Sequence, residues 1–193
     1  MKNTLSIMLS IVFLISIKNL QAQDEFSFEF RLNGSNVTSD ITDADMDLGY
    51  GFEGTLAYRF LPHLAAYAGW GWNQFPTDNF IPEVKTDFEE TGYTFGLQFI
   101  HPFTDINLNY IIRAGGIYNH IEIENEDGDI TLDSGHGFGW QVGAGLLFQL
   151  NENLNLIPTI RFRSLLTDAD LNSNNIELDL NYLSVGVGLS YIF

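Results

Sequence analysis

Residues 49–72 read GYGFEGTLAYRFLPHLAAYAGWGW, and their alternation decides the fold. Up to Phe60, Tyr50, Phe52, Leu56, Tyr58 and Phe60 occupy one parity, while Gly49, Gly51, Glu53, Thr55, Ala57 and Arg59 occupy the other. A period of two marks a strand with two unlike faces. Leu61-Pro62-His63 interrupts it as a tight turn, and Leu64, Ala66, Ala68, Trp70 and Trp72 restart it on a second strand.

The pattern recurs on both sides of this hairpin. Toward the N-terminus, Phe26, Phe28, Phe30 and Leu32 alternate with Ser27, Glu29 and Arg31. Toward the C-terminus it returns in Tyr93 to Phe99, Leu108 to Tyr118, Phe138 to Phe148, Leu154 to Phe162, and the closing SVGVGLSYIF of residues 184–193. These make eight segments; their apolar parity carries no Asp, Glu, Lys or Arg, and Arg31, Arg59, Arg113, Arg161 and Arg163 all fall on the polar parity. A charge-free face rich in Trp, Tyr and Phe suits lipid better than a narrow core. The expected fold is therefore all-β, an eight-stranded antiparallel up-and-down transmembrane β-barrel over residues 23–193 with its polar parity inward.

The first residues read as a separate leader. Met1-Lys2-Asn3 is a short basic start, Leu5 to Ile17 an apolar run, and Leu20-Gln21-Ala22-Gln23 a cleavage region. This is the pattern of a secretory signal peptide, residues 1–22, cut after Ala22 or Gln23. The apolar run is shorter than the roughly 20 residues of a membrane helix. The chain has no cysteine, which excludes a disulfide framework. Its formal net charge is −17, from Lys+Arg 8 against Asp+Glu 25, and loss of Lys2 and Lys18 with the leader makes the exported part more acidic still. Such a balance excludes nucleic acid as a partner.

The connections alternate in length. Residues 61–63, 101–105 and 151–153 are short, whereas 35–46, 76–87, 124–134 and 166–176 read as long acidic loops. In a membrane barrel the short turns lie on the periplasmic side with both termini, and the long loops outside. Tyr50 and Phe60, ten residues apart, would mark two aromatic belts about 25 Å apart in height. Trp70, Trp72, Tyr93, Tyr118 and Trp140 join the upper belt, and Tyr58, Phe99, Tyr110, Phe148 and Tyr191 the lower.

Two irregularities are expected. A two-residue turn at Asp127-Gly128 would pair Ile123 with Leu132 and put even positions opposite odd ones, whereas lower down both strands point even residues outward. A β-bulge at Gly135 or Gly137 would absorb the extra residue. The parity of apolar residues also switches between Leu180 and Leu183, so the last strand is expected to become regular only after Tyr182.

With its glycine-rich strand, Tyr58-Arg59-Phe60, a Pro turn and a second alternating strand, the 49–72 hairpin resembles those of the small outer-membrane β-barrel proteins of OmpA/OmpX type. The ending Tyr191-Ile192-Phe193 is similar to the terminal aromatic signature read by the barrel-assembly machinery, which makes Tyr191 and Phe193 a candidate assembly signal. The resemblance implies a monomer in the bacterial outer membrane that contacts its lipid and lipopolysaccharide. It also implies an extracellular ligand of unknown identity, without cofactor or metal.

An eight-stranded barrel has an interior that side chains can fill. Glu29, Arg31, Glu53, Arg113, Arg161 and Arg163 point into it, and buried charges must pair. The expectation is a layer in which each carboxylate is shared between guanidinium groups, with Gln98 and Gln141 taking further donors. The resulting reading is a non-enzymatic surface protein, with a narrow solute channel as one alternative. A second alternative is a lipid A ester hydrolase. Ser134, His136 and Glu122, with His120 and Glu124 nearby, hold the elements of a Ser-His-carboxylate set, though in reverse of the His-x-Ser order of the lipid A deacylases. Acid clusters at Asp40, Asp43, Asp45 and Asp47, at Glu122 to Asp133, and at Asp168 and Asp170 read as solvated surface; Asn125 to Asp129 lacks the spacing of a calcium loop.

Overall fold

The computed structural model describes residues 25–38, 48–81, 84–103, 108–124, 130–171 and 174–193. The leader, the acids Asp40 to Asp47 and the Asp127-Gly128 turn lie outside these residues. Every regular element described is a strand: β1 (Phe26–Val37), β2 (Gly49–Leu61), β3 (Leu64–Ile81), β4 (Val84–Pro102), β5 (Leu108–Glu124), β6 (Ile130–Asp133), β7 (Gly137–Gln149), β8 (Leu154–Leu171) and β9 (Asn174–Ile192). Neighbours along the chain pair antiparallel except β6 and β7, which both pair with β5, and β9 pairs with β1. The β1–β9 seam closes the sheet, from Ser27 opposite Ile192 to Val37 opposite Tyr182. Since β6 and β7 share one position in the ring, the nine strands make a closed eight-stranded barrel.

The parity read from the sequence places the walls correctly. Phe28, Phe30, Leu32, Leu56, Trp70, Phe95, Leu97, Ile112, Trp140, Val185, Val187 and Leu189 are exposed on the outside, whereas Glu29, Arg31, Glu53, Thr55, Gln98, Gln141, Arg161, Arg163 and Ser190 are buried inside. Aromatic rings gather in two zones of the outer wall. Tyr50, Phe52, Trp70 and Trp72 form one chain of ring contacts, joined in the adjoining ladders by Tyr93 and Tyr118, and Phe26, Tyr58, Tyr191 and Phe193 form the other. Both described chain ends lie at this second zone, where the Phe193 amide donates to the Phe26 carbonyl at 3.0 Å.

Two of the expected long loops, 76–87 and 166–176, are mostly strand. β3, β4, β8 and β9 run 18, 19, 18 and 19 residues, and segments 76–81, 84–87, 166–171 and 174–176 belong to these strands. A strand of that length tilted by about 40° rises about 45 Å, against the roughly 25 Å of an apolar membrane band. The barrel therefore continues as a crown beyond the upper aromatic zone.

The last strand also differs from expectation. β9 pairs with β8 without interruption from Asn174 opposite Leu171 to Tyr191 opposite Leu154. What switches at Leu180–Leu183 is the environment: Leu178, Leu180 and Tyr182 face inward and are buried, whereas Leu183 and Val185 face outward. The other irregularity is present. Ile123 faces Leu132 and Glu122 faces Asp133, but Asn119 faces Gly137, so one extra residue lies in the Ser134–His136 break. Gly135 takes φ +66° there, a left-handed conformation that glycine tolerates without a Cβ clash.

Candidate functional site: a filled lumen and an outer rim cluster

The lumen has three tiers. At the turn end a cavity of about 270 Å³ opens between the strand ends, lined among others by Ser27, Ala57, Ile111, Leu147 and Ile157. Its inner border carries Glu29 and Arg113. Above it comes a polar network, and above that an apolar core.

The polar tier is built on three buried carboxylates. Glu29 Oε1 accepts from Arg31 Nη2 at 2.5 Å and from Arg31 Nε at 3.0 Å, while Glu29 Oε2 accepts from Arg113 Nη2. Glu53 Oε1 accepts from Arg31 Nη1 at 3.2 Å, and its Oε2 from Arg161 Nη1 at 2.9 Å and from Arg163 Nη2. Charge-assisted bonds of this kind are the stronger ones, and sharing each carboxylate among guanidiniums leaves neither charge alone in a region away from water. Arg113 Nε donates to Gln98 Oε1 at 3.0 Å, Arg163 Nε to Gln141 Oε1 at 2.9 Å, and Gln141 Nε2 to the Tyr67 hydroxyl at 2.9 Å. The six charged residues picked out by parity thus lie in one connected network.

Tyr67 fits because the facing wall is bare. A Cβ on Gly115 would lie 2.0 Å from the Phe95 carbonyl oxygen and 2.7 Å from the Tyr67 hydroxyl. With that space open, the Arg113 guanidinium sits 5.7 Å over the Tyr67 ring centroid.

Sequence reading did not single out the third carboxylate. Glu90 is 0% exposed; its Oε1 accepts from Asn119 Nδ2 at 2.6 Å, and its Oε2 from Asn73 Nδ2 at 3.0 Å and the Tyr182 hydroxyl at 2.5 Å. Arg163 Nη1 stands 3.7 Å from Glu90 and donates to the Tyr182 hydroxyl at 3.1 Å. Glu90 shares its parity with Gln98, and the alternation that carries this signal runs on from Phe99 through Glu89.

Tyr182 joins the two upper tiers. Its hydroxyl belongs to the polar network, while its ring meets Phe75 edge-on at 5.1 Å. Phe75, Phe88, Ile117, Ile121, Ile123, Leu165, Leu178 and Leu180 form the apolar core around it, all buried and all pointing inward.

Of the residues of the hydrolase alternative, Glu122 and His136 lie on the outer wall at the level of this core, whereas Ser134 sits at the break, opposite the inward-facing Ile121. The Ser134 hydroxyl accepts from the Ile121 amide at 2.9 Å and donates to the Gly135 carbonyl at 2.8 Å. Its hydrogen bonds are with backbone, not with a histidine. His136 stacks on His120 at 4.5 Å, and His120 Nδ1 lies 3.4 Å from Asp133 Oδ1 and 3.9 Å from Glu122 Oε1. The acids 125–129, and the side chains of Glu124, Asp168 and Asp170, lie outside what the structure describes. Tyr191 and Phe193 are half-exposed on the lower outer wall, their rings 6.3 Å apart.

Solved structures share this architecture at low sequence identity. Neisserial surface protein A aligns with a TM-score of 0.63 and 12% identity, over 87% of this chain and 97% of that one. The outer membrane protein OprG of Pseudomonas aeruginosa aligns with 0.58 and 15%, over 91% and 100%. The attachment invasion locus protein Ail of Yersinia pestis, solved with the heparin analogue sucrose octasulfate, aligns with 0.51 and 14%, over 88% and 99%. No curated protein matches the chain in sequence. The family model described as the outer membrane protein beta-barrel domain matches residues 7–193. A closed barrel with a lipid-facing apolar wall, a charged and paired interior and a match of that extent lead to one conclusion: the chain belongs to the outer membrane protein beta-barrel family and is a bacterial outer-membrane barrel.

Proposed function

We propose that this protein is a sealed, non-enzymatic outer-membrane barrel whose working surface is the crown of long hairpins, held rigid to meet a ligand outside the cell. The observation that carries this reading is the series of two fillings in the lumen, the polar network at Glu29, Glu53 and Glu90 and the apolar core at Phe75, Phe88 and Leu180. A solute entering the lower cavity would have to displace both. An apolar core above a polar network is also a reason for the strands to continue past the membrane, since it anchors the hairpins in water as a soluble β-protein anchors its own.

The leader of residues 1–22 delivers the chain to the envelope, and β9, ending in Tyr191 and Phe193, is the strand read by the barrel-assembly machinery. The folded protein is a monomer whose belt contacts outer-membrane lipid and lipopolysaccharide. Ail was solved with a polyanion. Here Asp40, Asp43, Asp45 and Asp47 lie on one expected outer connection, and the whole chain carries −17, which favours a neutral or cationic ligand surface over a polyanion.

Planar-bilayer recording tests the seal: the wild-type protein is expected to give no discrete conductance steps, and regular steps would favour the channel alternative. Binding to intact cells tests the crown. Removing the hairpin tips around 80–84 and 171–174 should abolish any surface binding while the barrel still folds, whereas acyl release from lipopolysaccharide that is lost in Ser134→Ala would favour the hydrolase.

A further inference from the structure

We propose that His120, Glu122 and Asp133 form a binding site for a divalent transition metal of the Zn²⁺ class on the outer wall of the crown, just above the upper aromatic zone. The inference is independent of the sealed-barrel reading. One potential donor atom from each of the three residues lies within 4.8 Å of the other two. In a tetrahedral zinc site with bonds of about 2.0–2.1 Å, ligand atoms stand about 3.3–3.4 Å apart. His120 Nδ1 and Asp133 Oδ1 already have that spacing at 3.4 Å, and His120 Nδ1 to Glu122 Oε1, at 3.9 Å, needs only a small side-chain adjustment.

The backbone builds the cluster. His120 and Glu122 share the outward parity of β5 with Tyr118, because Ile121 and Ile123 are buried in the core. Had the lower register of β5 and β7 continued upward, Ser134 would stand opposite Glu122 and Asp133 would point into the lumen. The extra residue at the break instead places Asp133 opposite Glu122 on the outer face. The bulge exchanges a hydroxyl for a carboxylate at the position where a third ligand is needed.

Neighbouring groups hold the ligands in place. The Gly135 amide donates to Asp133 Oδ1 at 2.9 Å, and the His136 ring stacks on His120 with 13° between planes. On the opposite side, Glu89 faces Glu122 in the ladder, and its own carboxylate accepts from Trp72 Nε1 at 2.8 Å. Outer-shell contacts of this kind orient metal ligands. One imidazole with two carboxylates suits Zn²⁺ and its transition-metal neighbours; Ca²⁺ and Mg²⁺ prefer oxygen alone. The ligand side chains are 18%, 22% and 53% exposed, so the site opens to solution.

The test is calorimetric titration of the untagged, chelator-stripped protein, folded in detergent, with Zn²⁺, and a parallel titration with Co²⁺ read by its d–d absorption. The wild type should bind one ion per chain, with a visible Co²⁺ band that Ca²⁺ in 100-fold excess does not erase. Asp133→Asn, which keeps the side chain's shape, and His120→Gln should each weaken binding by at least about 10-fold, the smallest loss expected even for an outer-shell contact. Glu152→Gln, a control in a tight turn at the other end, should not change it. Thermal unfolding of each variant establishes that the barrel is intact. Absence of saturable binding in the wild type, retention of wild-type affinity in either ligand variant, or equal competition by Ca²⁺ overturns the assignment.

Discussion

Along β9 the inward positions Ser184, Gly186, Gly188 and Ser190 are hydroxyls or glycines, whereas one step higher Leu178 and Leu180 are apolar and Tyr182 turns its ring to them. The outward positions change in the opposite sense, from Val185, Val187 and Leu189 to Asp179 and Asn181. β4 does the same, with Phe95 and Leu97 outside the membrane zone but Asp87 and Glu89 outside the crown, where Phe88 faces inward. The strand conformation is continuous through the change, and the medium outside explains it. Against lipid, apolar side chains gain nothing by moving inward, so the wall carries them and the interior is left to paired polar groups. Against water, burying apolar surface is favourable and the crown returns to the pattern of a soluble protein. The two zones are therefore stabilised by different interactions and should fail in different ways.

The largest effect is expected in the polar tier. Glu53→Gln removes the carboxylate charge shared by Arg31, Arg161 and Arg163. Leaving those charges short of a partner should cost about 3–5 kcal/mol, read as a lower midpoint of unfolding in detergent. An unchanged midpoint would mean that the tier is hydrated and contributes little to the barrel.

Phe75→Ala acts on the crown alone. Phe75 is 0% exposed and meets the Tyr182 ring, and its truncation should cost about 3–5 kcal/mol of local stability. Amide exchange is expected to accelerate in the β3–β4 hairpin above Asn73, with the membrane zone still protected. Uniform acceleration would show that the two zones unfold as one unit.

A pair of substitutions locates the boundary itself. Val187→Lys, on the outer wall between the aromatic zones, should destabilise by about 2–4 kcal/mol in lipid vesicles, because a charge there meets hydrocarbon. Asn181→Lys on the same strand should stay within about 0.5 kcal/mol, as for a surface change in water. Equal costs at the two positions would move the membrane edge above Asn181. The smallest effect is expected for Gly135→Ala. No atom lies within 4 Å of its added Cβ, so only the left-handed φ of +66° opposes the change, at about 1 kcal/mol, measured by denaturant unfolding.

Much of this was legible in the residues. Period two from Phe26 to Leu32 and from Tyr50 to Trp72 fixed which side chains face lipid, because successive Cβ atoms must alternate across a strand. With a two-residue turn at Asp127-Gly128, Ile123 stands opposite Leu132, odd with even, while the strands below pair even with even; that change required a bulge, since antiparallel partners cannot change parity without an extra residue. The inward placement of Glu29, Arg31, Glu53, Arg113, Arg161 and Arg163 follows from the same parity. Segments 76–92 and 166–181 were not legible, although they alternate too. Apart from the inward Glu90, acids such as Asp87, Glu89 and Asp179 lie on the parity that lipid would forbid, and the pattern resembles polar loops because the medium outside a strand is not written in its period. The partners of the lumen charges likewise depend on shear and tilt, which bring Glu53 of β2 to Arg163 of β8 across the barrel. Only closure of the ring could place Glu90 beneath the Tyr182 hydroxyl, and only the bulge could turn Asp133 toward His120, because both depend on register between strands that no single segment specifies.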